Sequence, residues 1–197
     1  MSKIYIGRES HGIKARHVTL TTRELNGDQV VIGSEHPLPQ EDHFSAMLHE
    51  GYAYSFGAVA DYDNMIASDA SLDLVIAFGS GVKANMSIEG LCGGIAHGYL
   101  YEGANASGGT SGTAVQLNRN STNSSNSAII VNPTVTSTGT LLGSYIIQGG
   151  VGKKAAGGTM SGSSIIMKPL TNYLLRITNK DNQDHAAEIV MSWFEES

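Results

Sequence analysis

A chain of 197 residues, 41% of them hydrophobic, 15% charged and 24 of them glycine, is long enough for one domain, or one domain with an extended arm. The charged share lies below the typical value of about 25%, which argues against a long solvated helix or a charge-driven disordered tail. The net charge of −6 does not favour nucleic acid as the main partner. Glycine destabilises helix interiors, so its frequency favours an all-β fold.

The sequence contains few features that indicate membrane insertion, secretion or cysteine-based cross-links. No apolar run approaches the roughly 18 residues that a membrane helix needs. Residues 1–6 lack the apolar core of a secretory signal. Cys92 is the only cysteine, which excludes an internal disulfide and a cysteine-based zinc site. We therefore expect a protein that folds in a cytoplasm and has no membrane partner.

Residues 1–42 are predicted to form an extended N-terminal arm. Short apolar groups alternate with charges in "VTLTTREL" (residues 18–25) and "QVVIGSEHPLP" (residues 29–39). Pro37 and Pro39 favour an extended path and end any strand ladder there. The alternative is that this segment supplies the first hairpin of the main sheet.

Residues 43–197 are predicted to form a β-sandwich body. Apolar and polar residues alternate with a period of two in "SLDLVIAFGS", "NYLLRITN" and "AAEIVMSWFEE", as in strands that bury one face. Many short strands separated by Gly, Asn and Ser clusters are typical of an antiparallel sandwich such as a jelly roll. Only residues 44–50 suggest a helical turn. The further strand candidates are residues 52–59, 82–89, 95–102, 113–118, 127–135, 140–148 and 163–168.

An unusual segment, "QLNRNSTNSSNSAIIVNPTVT", runs through residues 116–136. Leu117 and residues 129–131 have the composition of strand ends, and residues 119–126 that of the loop between them. Asn and Ser side chains hydrogen-bond to nearby backbone and tolerate turn conformations. The segment is thus predicted to join two strands rather than to be a disordered linker.

The sequence contains no complete motif for catalysis or for binding a cofactor. Gly152-Lys153 is followed by Lys154 instead of the Ser or Thr of a phosphate-binding loop. Cys92 has only His97 close to it in sequence, and we expect a small buried thiol. Residues 61–64, "DYDN", lack the glycine and the distal glutamate of a calcium loop and are predicted to form a surface turn. No two of the seven histidines have the spacing of a metal site, so we predict no catalytic residue, cofactor or metal.

Three phrases in the C-terminal half resemble a group of tailed-bacteriophage virion proteins. They are "VQLNRNSTNSSNSAIIVNPTVTSTGTLL", "IIQGGVGKKAAGGT" and "MKPLTNYLLRITNKDNQDHAAEIVMSWFEE", and the resemblance spans the chain from about residue 90 to the C-terminus. The group is similar to head decoration (cement) proteins and related head fibres, whose bodies are often jelly rolls. The resemblance does not include residues 1–45.

The resemblance implies a structural virion protein, not an enzyme, that is assembled in the host cytoplasm and binds the capsid exterior. Its expected partners are the major capsid protein and further copies of itself, as a trimer or a dimer. The arm would make the capsid or neighbour-subunit contact, and the loops near residues 103–112, 119–127 and 149–162 would face outward. The alternative is a receptor- or glycan-binding head fibre or tail component on the same sandwich.

Overall fold

The strands of the body pair in a nested order. A computed structural model describes residues 43–148 and 164–196, which belong to one compact unit spanning Glu41–Ser197. Outside an insertion at residues 103–139, the first strand pairs with the last, the second with the second-last, and so on inward, always antiparallel. This nesting, spread over two sheets, is the topology of a jelly roll. The predicted fold class is therefore confirmed, whereas the predicted arm, residues 1–42, lies outside the described residues.

The helix and strands are short, as the turn-rich sequence predicts. Their bounds are α1 His43–Glu50, β1 Ala53–Ala60, β2 Ser71–Phe78, β3 Lys83–Cys92, β4 Ala96–Glu102, β5 Asn105–Ser107, β6 Thr110–Gly112, β7 Val115–Gln116, β8 Ser127–Val131, β9 Thr134–Ser137, β10 Thr140–Ile147, β11 Ile165–Met167, β12 Tyr173–Asn179 and β13 Ala187–Glu196. No helix in this part of the chain is long and apolar enough to cross a membrane.

Two sheets face each other across the main core. The five-stranded sheet has the order β11-β3-β13-β1-β7, and the six-stranded sheet has the order β10-β4-β12-β2-β8-β6. Trp193 of β13 is fully buried between them, with its ring 6.0 Å from that of Tyr54 and 6.1 Å from that of Phe78. The buried apolar side chains of both inner faces form one continuous cluster. Such burial stabilises a fold by roughly 1.5–3 kcal/mol per large side chain.

The predicted alternation is confirmed, but two strands are buried on both faces. Leu74 and Ile76 of β2 line the main core, as expected, yet Val75 between them is only 4% exposed. Val75 packs with Leu174 of β12 and Ala104 in a second cluster on the outer face of the six-stranded sheet. The six-stranded sheet is therefore the middle layer at this point.

The cover over the second cluster comes from the insertion. Strands β5 and β9 form a separate two-stranded sheet, and Ala106 and Val135 pack against the second cluster. The candidate strand at residues 127–135 is accordingly split into β8 and β9, because Asn132 adopts a left-handed φ of 48° immediately before Pro133. The candidate at residues 113–118 is reduced to the two residues of β7.

Helix α1 is a complete helix rather than a single turn, and its C-terminal end is heavily hydrogen-bonded. Gly51 has a φ of 81° and donates its N–H to Leu48 O, while Tyr52 N–H donates to Met47 O, which together form a Schellman motif. At its other end, the ring of Phe44 lies 6.3 Å from that of Phe194. The helix is thereby attached to the outer face of β13.

Tyr145 of β10 crosses the main core over two glycines. A Cβ atom at Gly98 would lie 1.9 Å from Tyr145 Cζ, and one at Gly90, on the opposite sheet, 2.6 Å from Tyr145 Oη. Burial raises the pKa of Tyr145 to about 12. Glycine is thus required at both positions because the tyrosine ring occupies the space of a side chain.

Candidate functional site

The outer face of β4 and β10 carries a continuous row of half-exposed and exposed apolar and aromatic side chains. His97 lies opposite Ile146, Tyr99 opposite Ser144 and Tyr101 opposite Leu141, so these pairs share one face of the sheet. The alternate residues of β4, Ala96, Gly98 and Leu100, are buried. We call this face the β4–β10 surface; it comprises Ile95, His97, Tyr99, Tyr101, Leu141, Leu142, Ser144 and Ile146.

The aliphatic part of the β4–β10 surface is strongly exposed. Ile146 is 66% exposed and Leu141 is 51% exposed. Leu142 is the extra residue of a bulge between β10 and β4 and is also exposed. Ile95, which precedes β4, is 49% exposed. Large aliphatic side chains grouped in this way on a surface mark a contact site for another macromolecule.

The aromatic part is ordered by contacts within the strand. The rings of Tyr99 and Tyr101 stack at a centroid distance of 5.8 Å. His97 packs edge-on against Tyr99, and His97 Nδ1 lies 3.2 Å from Tyr99 Oη, at hydrogen-bonding distance. Tyr101 also packs against the second cluster, which fixes it from below. These side chains therefore present a largely preformed shape.

A charged pair next to this row is internally neutralised. Arg176 of β12 lies opposite Tyr99 and donates two hydrogen bonds to Asp73 of β2, at 2.7 and 2.6 Å. These bonds raise the pKa of Arg176 above its usual value, because they favour the charged guanidinium. The β4–β10 surface is thus suited to apolar and main-chain contacts and not to attracting a charged ligand.

Glu102 connects the end of β4 to the β11–β12 turn. Its carboxylate accepts hydrogen bonds from Lys168 Nζ at 2.7 Å and from Tyr173 Oη at 2.9 Å. Tyr173 Oη in turn accepts from Lys168 N–H. The hydrogen bond from Lys168, followed by that from Tyr173, lowers the pKa of Glu102.

Glu102→Gln should therefore destabilise the body in a pH-dependent way. A carboxylate whose folded-state pKa is lowered stabilises the protein above its ordinary pKa, and this stabilisation is lost as the pH falls through the folded-state value. We expect a clear drop in Tm near pH 7 that shrinks at about pH 3, measured by thermal unfolding. Glu89→Gln, on the other sheet, controls for the loss of a carboxylate. An equal drop at both pH values would contradict this assignment.

The structure shows where the residues of two other motifs from the sequence analysis lie. Cys92 is 3% exposed in the main core, as predicted for a small buried thiol, and burial raises its pKa. His97 lies on the outer face of the opposite sheet and does not form a pair with it. At residues 61–64, Asp61 Oδ1 accepts from Asp63 N–H at 3.2 Å, which confirms the surface turn.

The metal and loop predictions extend beyond what the structure describes. Across residues 43–148 and 164–196, no three His, Cys, Asp or Glu side chains are grouped to hold a metal ion. The glycine-rich stretch at residues 149–162 falls outside these ranges. Tyr52 and Tyr54 have the two-residue spacing of one strand face, but Tyr52 precedes β1 and is exposed, whereas Tyr54 is buried.

The Asn-rich loop has a structural role that the sequence did not indicate. Gln116 Nε2 donates to Gly51 O at 2.6 Å, Asn118 Nδ2 to His49 O at 2.9 Å, and Asn123 Nδ2 to Gly51 O at 3.1 Å. These three amides, here called the amide cluster, satisfy carbonyls that a helix leaves unpaired at its C-terminus. The prediction of a loop between strands is confirmed, and part of that loop holds α1 in place.

Comparison with known proteins gives no match for this chain, whether with protein-family models, with curated proteins or with solved structures.

Proposed function

We propose that this chain is a structural virion protein that binds the outside of a phage capsid and stabilises the junctions between capsomers. The observation that carries the proposal is the β4–β10 surface, where preformed aromatic side chains lie beside exposed aliphatic ones. Such a surface suits a protein partner, because burial of these apolar side chains contributes to affinity. The resemblance of residues 90–197 to head decoration proteins supports the same role.

The main core closes between two sheets within residues 43–148 and 164–196. In this proposal, residues 1–42 make contact with the capsid or with a neighbouring subunit. On a capsid, where many identical sites lie close together, even weak contacts of this kind gain strength through high effective concentration.

The test is electron microscopy of phage particles that carry the gene, compared with particles from a deletion strain. We expect density on the outside of the head that disappears in the deletion strain and returns when the gene is supplied in trans. Density at a tail or fibre position would instead favour the receptor-binding role. Particles of both strains without any difference would contradict a virion role altogether.

Deleting residues 1–40 should abolish capsid binding and leave the body folded. The expected result is loss of co-sedimentation with purified heads, together with a cooperative thermal transition like that of the full chain. Replacing residues 1–40 by a Gly/Ser segment of equal length is the matched control, because it separates the sequence of the segment from its bulk. If the truncated protein occupies heads as fully as the full chain, the capsid contact lies on the body.

A second candidate function is glycan or receptor binding, which the stacked rings of Tyr99 and Tyr101 favour. Sugar rings pack against aromatic faces, and the two tyrosines are half-exposed on one strand. A glycan-array signal that Tyr99→Ala abolishes, from a protein with no affinity for heads, would replace the first proposal by this one.

A further inference from the structure

Three of the four edge strands of the two main sheets are short. β6 and β11 have three residues each and β7 has two, so each offers few unpaired backbone groups. β10, the remaining edge, has eight residues. Very short edge strands are a common device against pairing with another chain. Within the described ranges, β10 is thus the longest edge strand, and it pairs with β4 along its whole length.

β10 also lacks the side chains that usually prevent such pairing. Its sequence, TLLGSYII, contains no charged residue and no proline. Proteins commonly place Lys or Pro on an exposed edge to keep other strands away. Here the exposed side chains include Leu141, Leu142 and Ile146 instead. The bulge interrupts the ladder with β4 near the start of the strand, and residues 143–147 continue it in regular register.

We infer that β10 pairs antiparallel with β10 of a second copy of this chain, across a two-fold axis at Ser144. In this register Ser144 faces itself, and Leu142 of each copy faces Ile146 of the other. Residues directly opposite each other share a face, so both apolar pairs lie on the outer side, beside Tyr99 and His97. The two six-stranded sheets then become one continuous sheet.

Charge permits a second copy to approach along β10. The full chain has a net charge of −6, which opposes close approach of two copies over most surfaces. From residue 104 to residue 148, which includes β10, Arg119 is the only charged residue. Two β10 strands can therefore meet without placing like charges opposite each other. A two-fold contact is also self-complementary, so the same strand, contributed once by each copy, forms both Leu142–Ile146 pairs.

The inference goes beyond the proposed function and does not depend on it. It predicts a dimer, because a contact of β10 with β10 across a two-fold axis is complete with two copies. If the chain does not bind phage heads, the prediction of a dimer is unaffected. If the chain does not dimerise, the proposal of capsid binding is not contradicted.

The first test is the molar mass of the full chain in solution, measured by light scattering or sedimentation. We expect a dimer for the wild type and a rise of at least about tenfold in the dissociation constant for Ile146→Lys. Ile166→Lys is the matched control, because Ile166 is equally exposed, at 67%, on the short edge strand β11. A monomeric wild type, a trimer, or equal effects of both lysines would overturn the inference.

The second test examines the register. In Leu142→Glu/Ile146→Lys each lysine faces a glutamate of the other copy, and we expect dimerisation to recover relative to Ile146→Lys alone. In Leu142→Lys/Ile146→Lys only like charges face each other, and we expect monomers. If the two double variants associate equally, the pairing at Ser144 is wrong.

Cross-linking provides a readout that does not depend on affinity. Ser144→Cys places a thiol opposite its own copy on the axis, at the separation of directly paired strand residues, about 4.5–5.5 Å between Cα atoms. Oxidation should give a covalent dimer on a denaturing gel. Ala128→Cys, exposed on β8 of the same sheet, should not. Cys92 is buried and does not compete. Equal cross-linking of both variants would overturn the inference.

Discussion

Gly98→Ala is expected to lower the free energy of unfolding by about 3 kcal/mol or more, since overpacking typically costs about 1–3 kcal/mol and here a whole ring must move. The new methyl carbon would lie 1.9 Å from Tyr145 Cζ and 2.3 Å from Cε1. Movement of the ring is restricted on the other side, because even a Cβ atom at Gly90, on the opposite sheet, would lie 2.6 Å from the Tyr145 hydroxyl. Chemical denaturation of both proteins measures the difference.

Gly143→Ala is the matched control for Gly98→Ala. Gly143 lies on the neighbouring strand β10, and a Cβ atom there would meet nothing within 4 Å. Its substitution should change stability by less than about 1 kcal/mol. Adding Tyr145→Leu to Gly98→Ala should recover part of the loss, giving a double variant more stable than the two single effects predict together. Similar losses for Gly98→Ala and Gly143→Ala would show that Tyr145 does not set the requirement.

Gly51→Ala is expected to cost roughly 2–4 kcal/mol and to release the C-terminal end of α1. Two effects add at this position. A φ of 81° is unfavourable for a residue with a side chain, and the new carbon would lie 2.3 Å from Ser121 Oγ. Ser121 belongs to the same loop as the amide cluster, so relieving the clash moves amides away from the helix carbonyls. Hydrogen exchange of α1 amides and denaturant unfolding report the two consequences.

Gly81→Ala separates these two effects. Gly81 has a nearly identical φ of 80°, and a Cβ atom there would meet nothing within 4 Å. It should therefore show only the conformational cost, about 1–2 kcal/mol. Adding Ser121→Gly to Gly51→Ala should reduce the loss towards that of Gly81→Ala. Equal losses for the two single variants would mean that contact with Ser121 is unimportant.

The sequence predicted the strands of the main core well because period-two alternation directly reports a buried face. Leu74, Ile76, Tyr173 and Trp193 all point inward as their spacing indicated. The alternation does not reveal what covers the opposite face, so the burial of Val75 under the insertion was not foreseen. That burial depends on a long-range contact between strands far apart in the chain.

The candidate site was only partly predictable. Tyr99 and Tyr101 have the spacing of one strand face, and the structure places them there. Their partial exposure depends on how far the insertion covers the outer face of the sheet, which follows from long-range packing rather than from local sequence. The amide cluster was missed for a related reason. Asn and Gln side chains suit solvent-exposed turns as well as helix carbonyls, and only the folded position of α1 distinguishes the two.

The nested pairing of the strands also constrains how the protein can be made. β13, the last strand of the chain, occupies the centre of the five-stranded sheet, between β3 and β1. In a nascent chain both strands therefore lack this partner until β13 has been synthesised, and Trp193 arrives with it. Such high contact order slows folding to milliseconds or longer and leaves strand edges open in the meantime. The core of the sandwich can therefore close only once β13 has been synthesised.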